Sequence, residues 1–324
     1  DERTMKHKLF AAAVTLAILA ATYGLFFVYF SSGGKQMPRA ENGVLDLSAW
    51  RFAEDGVVVL DGEWEFYPDR LLFPEHFAAA AGQDGAPLPE RIEVPGSWSK
   101  TMPALGMATY RLRVYAGDAA PLYGLKTSSI QMSNRIFVNG QAAGQSGTPA
   151  ERPFYRSANK PYAAYFALRP GWNEIVVHAA NLEFPASSGI VESLYLGLSA
   201  QISELRDRAL AYDWIKVTAF LIMGLYFIGL HTQRKNDASL LALGVVCVCF
   251  SLFTSTRGER VLYEVFGFIP FWLYLRIQML SAVVGGFSFF LYVYSAFPQF
   301  CSRIVLRVAA VVGAALAVWT LFLI

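Results

Sequence analysis

Hydrophobic residues collect in five long runs, one near the start of the chain and four after residue 213. A helix needs about 20 consecutive apolar residues to cross the hydrocarbon core of a bilayer. The pattern therefore predicts membrane-spanning helices at Leu9–Phe30, Trp214–Leu230, Ser239–Thr254, Phe271–Ala296 and Ile304–Ile324.

The first run follows a basic flank, RTMKHK, which is compatible with a signal peptide or with a membrane anchor. A cleaved signal peptide has an apolar core of roughly 7–15 residues, whereas this run continues through YGLFFVYF. The length favours an uncleaved signal-anchor at residues 1–30, followed by a linker at residues 31–41. A cleaved signal peptide is the alternative.

Between residues 42 and 200 the pattern changes to short segments that alternate apolar and polar residues. In TYRLRVY the apolar side chains alternate with Arg111 and Arg113, as in a strand with one buried face. The Asp-Gly pair at 61–62 and the Asn-Gly pair at 139–140 predict β-hairpins. This region is therefore predicted to fold as an antiparallel all-β sandwich.

Residues 201–213 predict a helical connector between the sandwich and the bundle of spanning helices at residues 214–324. The segment SAQISELRDRALAYDWIKV contains neither Gly nor Pro, and Ser203 is a candidate N-cap. A helix that continues into the span at Trp214 would be stiff and could transmit a tilt or rotation. The alternative is a passive spacer.

The basic residues predict the orientation, because short cytoplasmic loops are enriched in Lys and Arg. With the N-terminus in the cytoplasm, residues 31–208 lie outside. The cytoplasmic segments then hold Arg3, Lys6, Lys8, Arg234, Lys235, Arg303 and Arg307, against Arg257 and Arg260 in the short outer loop.

Composition supports a membrane protein, since 55% of the residues are hydrophobic and 16% are charged, against about 25% charged in soluble domains. The net charge of +2 and the lack of a basic patch argue against nucleic-acid binding. The three cysteines are Cys247, Cys249 and Cys301, so the predicted outer domain must be stable without a disulfide.

Catalytic chemistry is not indicated. Glu63, Glu65 and Asp69 lie close in sequence, but a retaining glycosidase needs two carboxyl groups about 5–5.5 Å apart across a cleft. We expect Glu63 and Glu65 to lie on a solvated strand face. The four histidines have no metal-ligand spacing. The sequence therefore predicts no enzymatic activity, no metal and no cofactor.

Several phrases resemble known modules. VPGSW, GMATYRLRV, FVNGQAAGQ and GWNEIVVHAAN occur in the order found in the galactose-binding-like jelly roll of family-2 glycosidases. Together with LDLSAWRFAEDGVVVLDGEWEFYPDRLLFPEHF and SLYLGLSAQI, they make the chain resemble bacterial seven-transmembrane receptors with diverse intracellular signalling modules. The resemblance implies an extracytoplasmic jelly roll, seven receptor helices and a cytoplasmic output module. Four of those helices are present, so the chain is expected to be truncated.

Sugar ligands are held by aromatic stacking and a few oriented hydrogen bonds. Loop residues of these types give the candidate ligand contacts, which are Trp98, Arg152, Tyr155, Arg156, Asn181 and Phe184. Each also has a structural interpretation. Trp98 can pack beneath its own loop, and the Asn181 amide can cap a turn.

We therefore expect a sensor in the bacterial inner membrane that binds an extracytoplasmic small molecule or carbohydrate. Its expected partners are the lipid bilayer, a cytoplasmic signalling module or downstream regulator and, as an option, a second copy in a homodimer. The alternative is a membrane-tethered carbohydrate-binding or scaffolding module without signalling. A transporter component is weakest, because the spans show no paired interrupted helices.

Overall fold

The computed structural model describes residues 13–24, 35–80, 88–117, 122–234, 237–267, 269–299 and 302–323. The chain divides into two units, Asp1–Met37 and Pro38–Ile324. In the first, helix α1 spans Ala13–Gly24 and is apolar. It lies within the predicted span Leu9–Phe30, and the remaining residues of that span lie outside the described part of the chain.

The second unit begins with a region rich in β-strands. In chain order they are β1 Val44–Leu47, β2 Val58–Val59, β3 Gly62–Pro68, β4 Glu90–Val94, β5 Gly106–Ala116, β6 Tyr123–Lys126, β7 Ile130–Gln131, β8 Ser133–Val138, β9 Gln141–Ser146, β10 Ala163–Phe166, β11 Gly171–Asn181, β12 Gly189–Ile190 and β13 Tyr195–Leu198. Two short helices accompany them, α2 at Phe52–Asp55 and α3 at Pro74–Ala80.

The strands form two main sheets. The seven-stranded sheet has the order β4-β3-β5-β11-β8-β9, with β1 also paired to β5, and the four-stranded sheet has the order β10-β6-β13-β2. Strands β12 and β7 form a separate pair. Because β1 runs parallel to β5, the predicted antiparallel sandwich is in fact mixed at this position.

The core lies between the two sheets. Trp64, Tyr110 and Leu112 of the large sheet and Leu125 and Leu196 of the small sheet are all fully buried in one hydrophobic cluster. The predicted alternation along β5 points its apolar side chains, among them Tyr110 and Leu112, into this core. The structure therefore confirms a β-sandwich.

The two predicted hairpins have different outcomes. Strands β8 and β9 pair around Asn139–Gly140, so this hairpin is confirmed. The prediction of a hairpin at residues 61–62 is wrong, because β2 belongs to the small sheet and β3 to the large one. Val58 pairs with Leu196 of β13, so the Asp-Gly pair marks a crossing between sheets.

Glu65 corrects a second expectation. Glu63 is exposed, but the Glu65 side chain is 7% exposed and accepts a hydrogen bond from Arg111 at 3.0 Å. Arg91 lies opposite Glu65 on β4, and Arg111 lies opposite it on β5. The Phe77 ring of α3 covers the Arg111 guanidinium, with the ring centroid 4.5 Å from Cζ, and shields this part of the outer sheet face from solvent.

The helical part contains α4 Ser199–Gln233, α5 Ala238–Ser255, α6 Val261–Val265, α7 Phe271–Ala296 and α8 Arg303–Leu323. Among the described residues, four of these helices are long and apolar enough to cross a membrane, namely α4, α5, α7 and α8. They pack in chain order, α4 on α5, α5 on α7 and α7 on α8. Ser251 of α5 donates a hydrogen bond to the Val217 carbonyl of α4 at 2.8 Å.

Helix α4 is continuous from the sandwich into the bundle, as predicted. Its 35 residues correspond to about 50 Å at a rise of 1.5 Å per residue, against a hydrocarbon core of about 30 Å. Ser203 is not the N-cap, because the helix begins four residues earlier at Ser199 and Ser203 bonds Asp207 inside it. The Gln201 side chain instead accepts from the Leu198 N–H at 3.0 Å.

Residues on either side of the predicted range 42–200 also pack against the sandwich. Ala40 is buried and bridges to Gly62, and Ile202 of α4 is fully buried against β6. An added Cβ at Gly124 would lie 2.8 Å from the Ile202 Cβ, so only glycine permits this close approach.

A fragment of residues 38–210 should therefore be more stable than one of residues 42–200. Burial of a side chain such as Ile202 contributes about 1.5–3 kcal/mol. Chemical denaturation of the two fragments, followed by circular dichroism, measures the difference in the free energy of unfolding. As a control, Ile202→Ala in the longer fragment should remove most of the gain. Equal stability of both fragments would contradict the wider boundary.

Candidate functional site

Two of the six predicted ligand contacts are buried within the sandwich. Trp98 is fully buried, and its indole N–H donates to the Pro103 carbonyl at 3.1 Å. The Asn181 amide nitrogen lies within 3.0 Å of the carbonyl oxygens of Ala104, Phe184 and Ser187. Both side chains therefore organise loops and present no surface to a ligand in this conformation.

The other four lie near one another around the loop after β11. Arg152 donates to the Leu182 carbonyl at 3.3 Å, and Tyr155 is buried, which raises its pKa to about 12. Arg156 is exposed and donates to nearby main-chain carbonyls. The Phe184 ring meets Phe271 of α7 edge-on, with centroids 6.3 Å apart. This group therefore reaches from the sandwich to the helical bundle.

A wide cavity of about 870 Å³ lies between the same loop and helices α7 and α8. Arg152 and Phe184 line it on the sandwich side, and Trp272 and Trp319 line it on the helical side. Of the six predicted residues, Arg152 and Phe184 line this cavity.

The stronger contacts between sandwich and helices involve the α5–α7 loop, residues 256–270, which contains α6. Lys126 of β6 and Glu259 of this loop form an ion pair at 2.5 Å, with side chains 5% and 10% exposed. Removing one partner of a buried ion pair strongly destabilises the folded protein, because the remaining charge is buried without a counter-charge or water. This pair therefore links a sandwich strand to the loop between α5 and α7.

Asp213 ties the same loop to α4. Its Oδ2 accepts from the Glu259 N–H at 2.7 Å, and its Oδ1 pairs with Lys216 at 2.6 Å. Gly258 adopts φ +60°, and an added Cβ there would lie 2.3 Å from the Asp213 carboxylate. The loop can approach α4 this closely because position 258 carries no side chain.

Glu264 of α6 joins three parts of the molecule. It pairs with Lys160 of the sandwich at 3.3 Å and with Arg206 of α4 at 3.7 Å. These side chains are partly exposed, so each pair contributes less than the buried one. The sandwich, α4 and the α5–α7 loop thus meet at one junction.

A polar cavity of about 290 Å³, the junction cavity, lies within this contact region. Its walls come from the sandwich, the α5–α7 loop and α7, and include Ser129, Gln131, Asn159, Glu192, Arg260 and Gln278. Arg260 Nη2 lies 3.4 Å from Ser129 Oγ, and Arg260 Nη1 is buried without a hydrogen-bond partner among the described residues. Loss of hydration lowers the pKa of the Arg260 guanidinium, which stays charged at neutral pH.

The sequence offered one usable signal for this junction, which the candidate set missed. Lys126 ends an apolar strand, YGLK, whose four residues are all buried. A lysine in such a strand needs a partner of opposite charge. Nothing local identifies Glu259 as that partner, and the sequence marks Arg260 only as one of two basic residues in the short outer loop.

In the part of the chain that the structure describes, no group of three His, Cys, Asp or Glu side chains is placed to hold a metal ion. Cys247 and Cys249 are free and buried in α5. They line an apolar cavity of about 510 Å³ between helices.

No protein-family model matches the chain, and no curated protein matches it. Solved structures that resemble it include a GH2 β-galacturonidase from Eisenbergiella tayi bound to galacturonate, at 18% identity and a TM-score of 0.30, covering 43% of this chain and 24% of that one. A β-glucuronidase from Ruminococcus gnavus in complex with D-glucuronic acid has 19% identity, a TM-score of 0.31 and coverages of 43% and 29%.

A β-glucuronidase from an uncultured Clostridium species gives 16% identity, a TM-score of 0.31 and coverages of 43% and 28%. The chain thus spans less than a third of the length of these enzymes. Similarity at this level assigns neither an activity nor a ligand to the chain.

The buried ion pair makes a stability prediction. Lys126→Met or Glu259→Met alone should lower the free energy of unfolding by about 3–5 kcal/mol, because each leaves an unpaired buried charge. The double variant should lose less than the sum of the two. Chemical denaturation of the whole chain in detergent measures all three.

The matched control is the exposed pair of Glu204 and Arg208 on α4. Replacing either of these residues by Ala should cost less than about 1 kcal/mol. If Lys126→Met costs no more than this control, the junction is not held by the buried pair.

Proposed function

We propose that the protein is a membrane receptor whose sandwich senses an extracytoplasmic ligand and passes the change to the spanning helices. The observation that carries this proposal is the junction, where Lys126 of the sandwich and Glu259 between α5 and α7 are buried as a pair. A domain that only tethers a ligand needs no buried charge shared with the helices.

Two connections between sandwich and bundle support a relay. Helix α4 continues from the sandwich without interruption and packs Ile202 into it. The α5–α7 loop contacts the sandwich through Lys126 and Lys160. A movement of the sandwich would therefore reach the bundle through both α4 and the α5–α7 loop.

The finer assignment is also a proposal. We infer a galactose-binding-like jelly roll that binds a small molecule or carbohydrate, within the class of bacterial receptors with diverse intracellular signalling modules. The output is then carried by a cytoplasmic module or a downstream regulator, and the membrane is the bacterial inner membrane. The residues quoted for the resemblance support this inference.

The proposed orientation is testable by cysteine labelling. In a background without Cys247, Cys249 and Cys301, Gln141→Cys should react with a membrane-impermeant maleimide in cells with a permeabilised outer membrane. Gln233→Cys, at the end of α4, should react only after lysis. Both positions are exposed in the structure, so unequal access to them reports the membrane side. The opposite labelling pattern would reverse the topology.

The relay predicts a response at the far ends of the helices. With spin labels at Gln233 and Arg303, Glu259→Met should change the distance distribution measured by pulsed electron paramagnetic resonance in nanodiscs. Inserting Gly-Gly between Leu205 and Arg206 should reduce that change, because each Gly costs about 1 kcal/mol in a helix interior.

Arg51→Ala, which removes an exposed pair with Glu54 far from the junction in sequence, is the control and should leave the distances unchanged. A tether without signalling predicts no response to Glu259→Met either. That result would leave the binding module in place and reject the receptor.

A further inference from the structure

The junction cavity is lined by an arginine that has an unsatisfied N–H donor. Arg260 Nη1 is buried and has no hydrogen-bond partner among the described residues. Its neighbours are the Ser129 hydroxyl, 3.4 Å from Nη2, and the side chains of Tyr274 and Glu192, which line the same cavity. A guanidinium has five N–H donors and no acceptor, so what it lacks is an acceptor, and a carboxylate is its best match.

The same cavity holds an unmatched acceptor. The Gln131 side-chain carbonyl oxygen is also buried without a partner in the described part of the chain. A buried polar atom without a hydrogen bond costs about 1–3 kcal/mol. A molecule that carries both an anionic acceptor and a hydroxyl donor has the groups that these two atoms lack.

The remaining walls match a small hydroxylated molecule. Ser129 and Asn159 bond each other and are buried at the cavity, and Gln278 of α7 lines it. Glu192 and Arg257 are exposed and also line the cavity, so with Arg260 the lining carries a formal charge of +1. The volume of about 290 Å³ is just below the range of typical ligand sites, roughly 300–1,000 Å³, so the occupant must be small.

We propose that the junction cavity binds a small hydroxy acid, with its carboxylate on the Arg260 guanidinium and a hydroxyl on the Gln131 carbonyl. This inference rests on the proposed receptor function, because it names the ligand class that the receptor senses. The ligand touches the sandwich, the α5–α7 loop and α7 together. A ligand that binds the docked arrangement better than any other shifts the protein towards it.

Binding to the purified whole chain in detergent tests the proposal by isothermal titration calorimetry. The probes are glycolate, L-malate, citrate and D-gluconate. D-Glucitol, which replaces the gluconate carboxylate by a hydroxymethyl group, and propionate, which has no hydroxyl, are the matched controls. At least one hydroxy acid should bind, and at least tenfold more tightly than D-glucitol and propionate.

Variants assign the contacts. Arg260→Gln should weaken the bound hydroxy acid at least tenfold, and Gln131→Leu should weaken it about threefold or more. Arg208→Gln, which removes the same charge from an exposed position on α4, should leave the affinity unchanged. Without ligand, Arg260→Gln should melt at the same or a higher temperature, because it removes an unpaired buried charge; a lower melting temperature would make Arg260 a structural residue.

The proposal is overturned if none of the four acids binds, if D-glucitol binds as well as D-gluconate, or if Arg260→Gln binds with unchanged affinity. If Arg260→Gln fails to fold, Arg260→Lys provides a second test. It keeps the charge but loses the paired N–H donors of the guanidinium, so it should also weaken binding. The assay needs no cytoplasmic output. Binding without a response of the spin-labelled helices would therefore retain the site and reject the receptor.

Discussion

The buried pair of Lys126 and Glu259 is the interaction on which the arrangement of sandwich and helices depends. Both charges have lost nearly all of their water, and each has the other as its ion-pair partner at 2.5 Å. Losing either partner while the junction stays closed would leave an unpaired buried charge. Strand β6 and the α5–α7 loop are therefore held together, and the neighbouring contacts form within that limit.

Close packing adds a second constraint of a different kind. Gly124 lets Ile202 approach strand β6, and Gly258 lets the loop approach Asp213. Helix α4 and the α5–α7 loop thus both contact strand β6, the helix by close packing at Gly124 and the loop by the ion pair at Lys126. The junction cavity lies where this fit is incomplete, and there the polar atoms of Arg260 and Gln131 have no partner among the described residues.

The local pattern of hydrophobic and turn residues predicted a secondary-structure element correctly where the residues of that element alone decide whether it is a strand, a turn or a helix. The alternation in β5, the Asn139–Gly140 turn and the uninterrupted helix after the sandwich all follow from neighbours in sequence. The Asp-Gly pair at 61–62 misled, because β2 finds its partner in β13, which lies more than a hundred residues away. A turn signal reports that the chain bends and does not report which sheet the next strand joins.

The sequence by itself determined that the chain has a β-rich region followed by apolar helices, because hydrophobic periodicity and length are local properties. Only the tertiary structure decided where the charges go. Glu65, expected in solvent, is buried because Arg91 and Arg111 arrive from neighbouring strands. Lys126 and Glu259 are 133 positions apart, and Arg260 lines a cavity whose walls come from the sandwich, the α5–α7 loop and α7. Which charge meets which depends on how distant segments pack, and no local spacing contains that information.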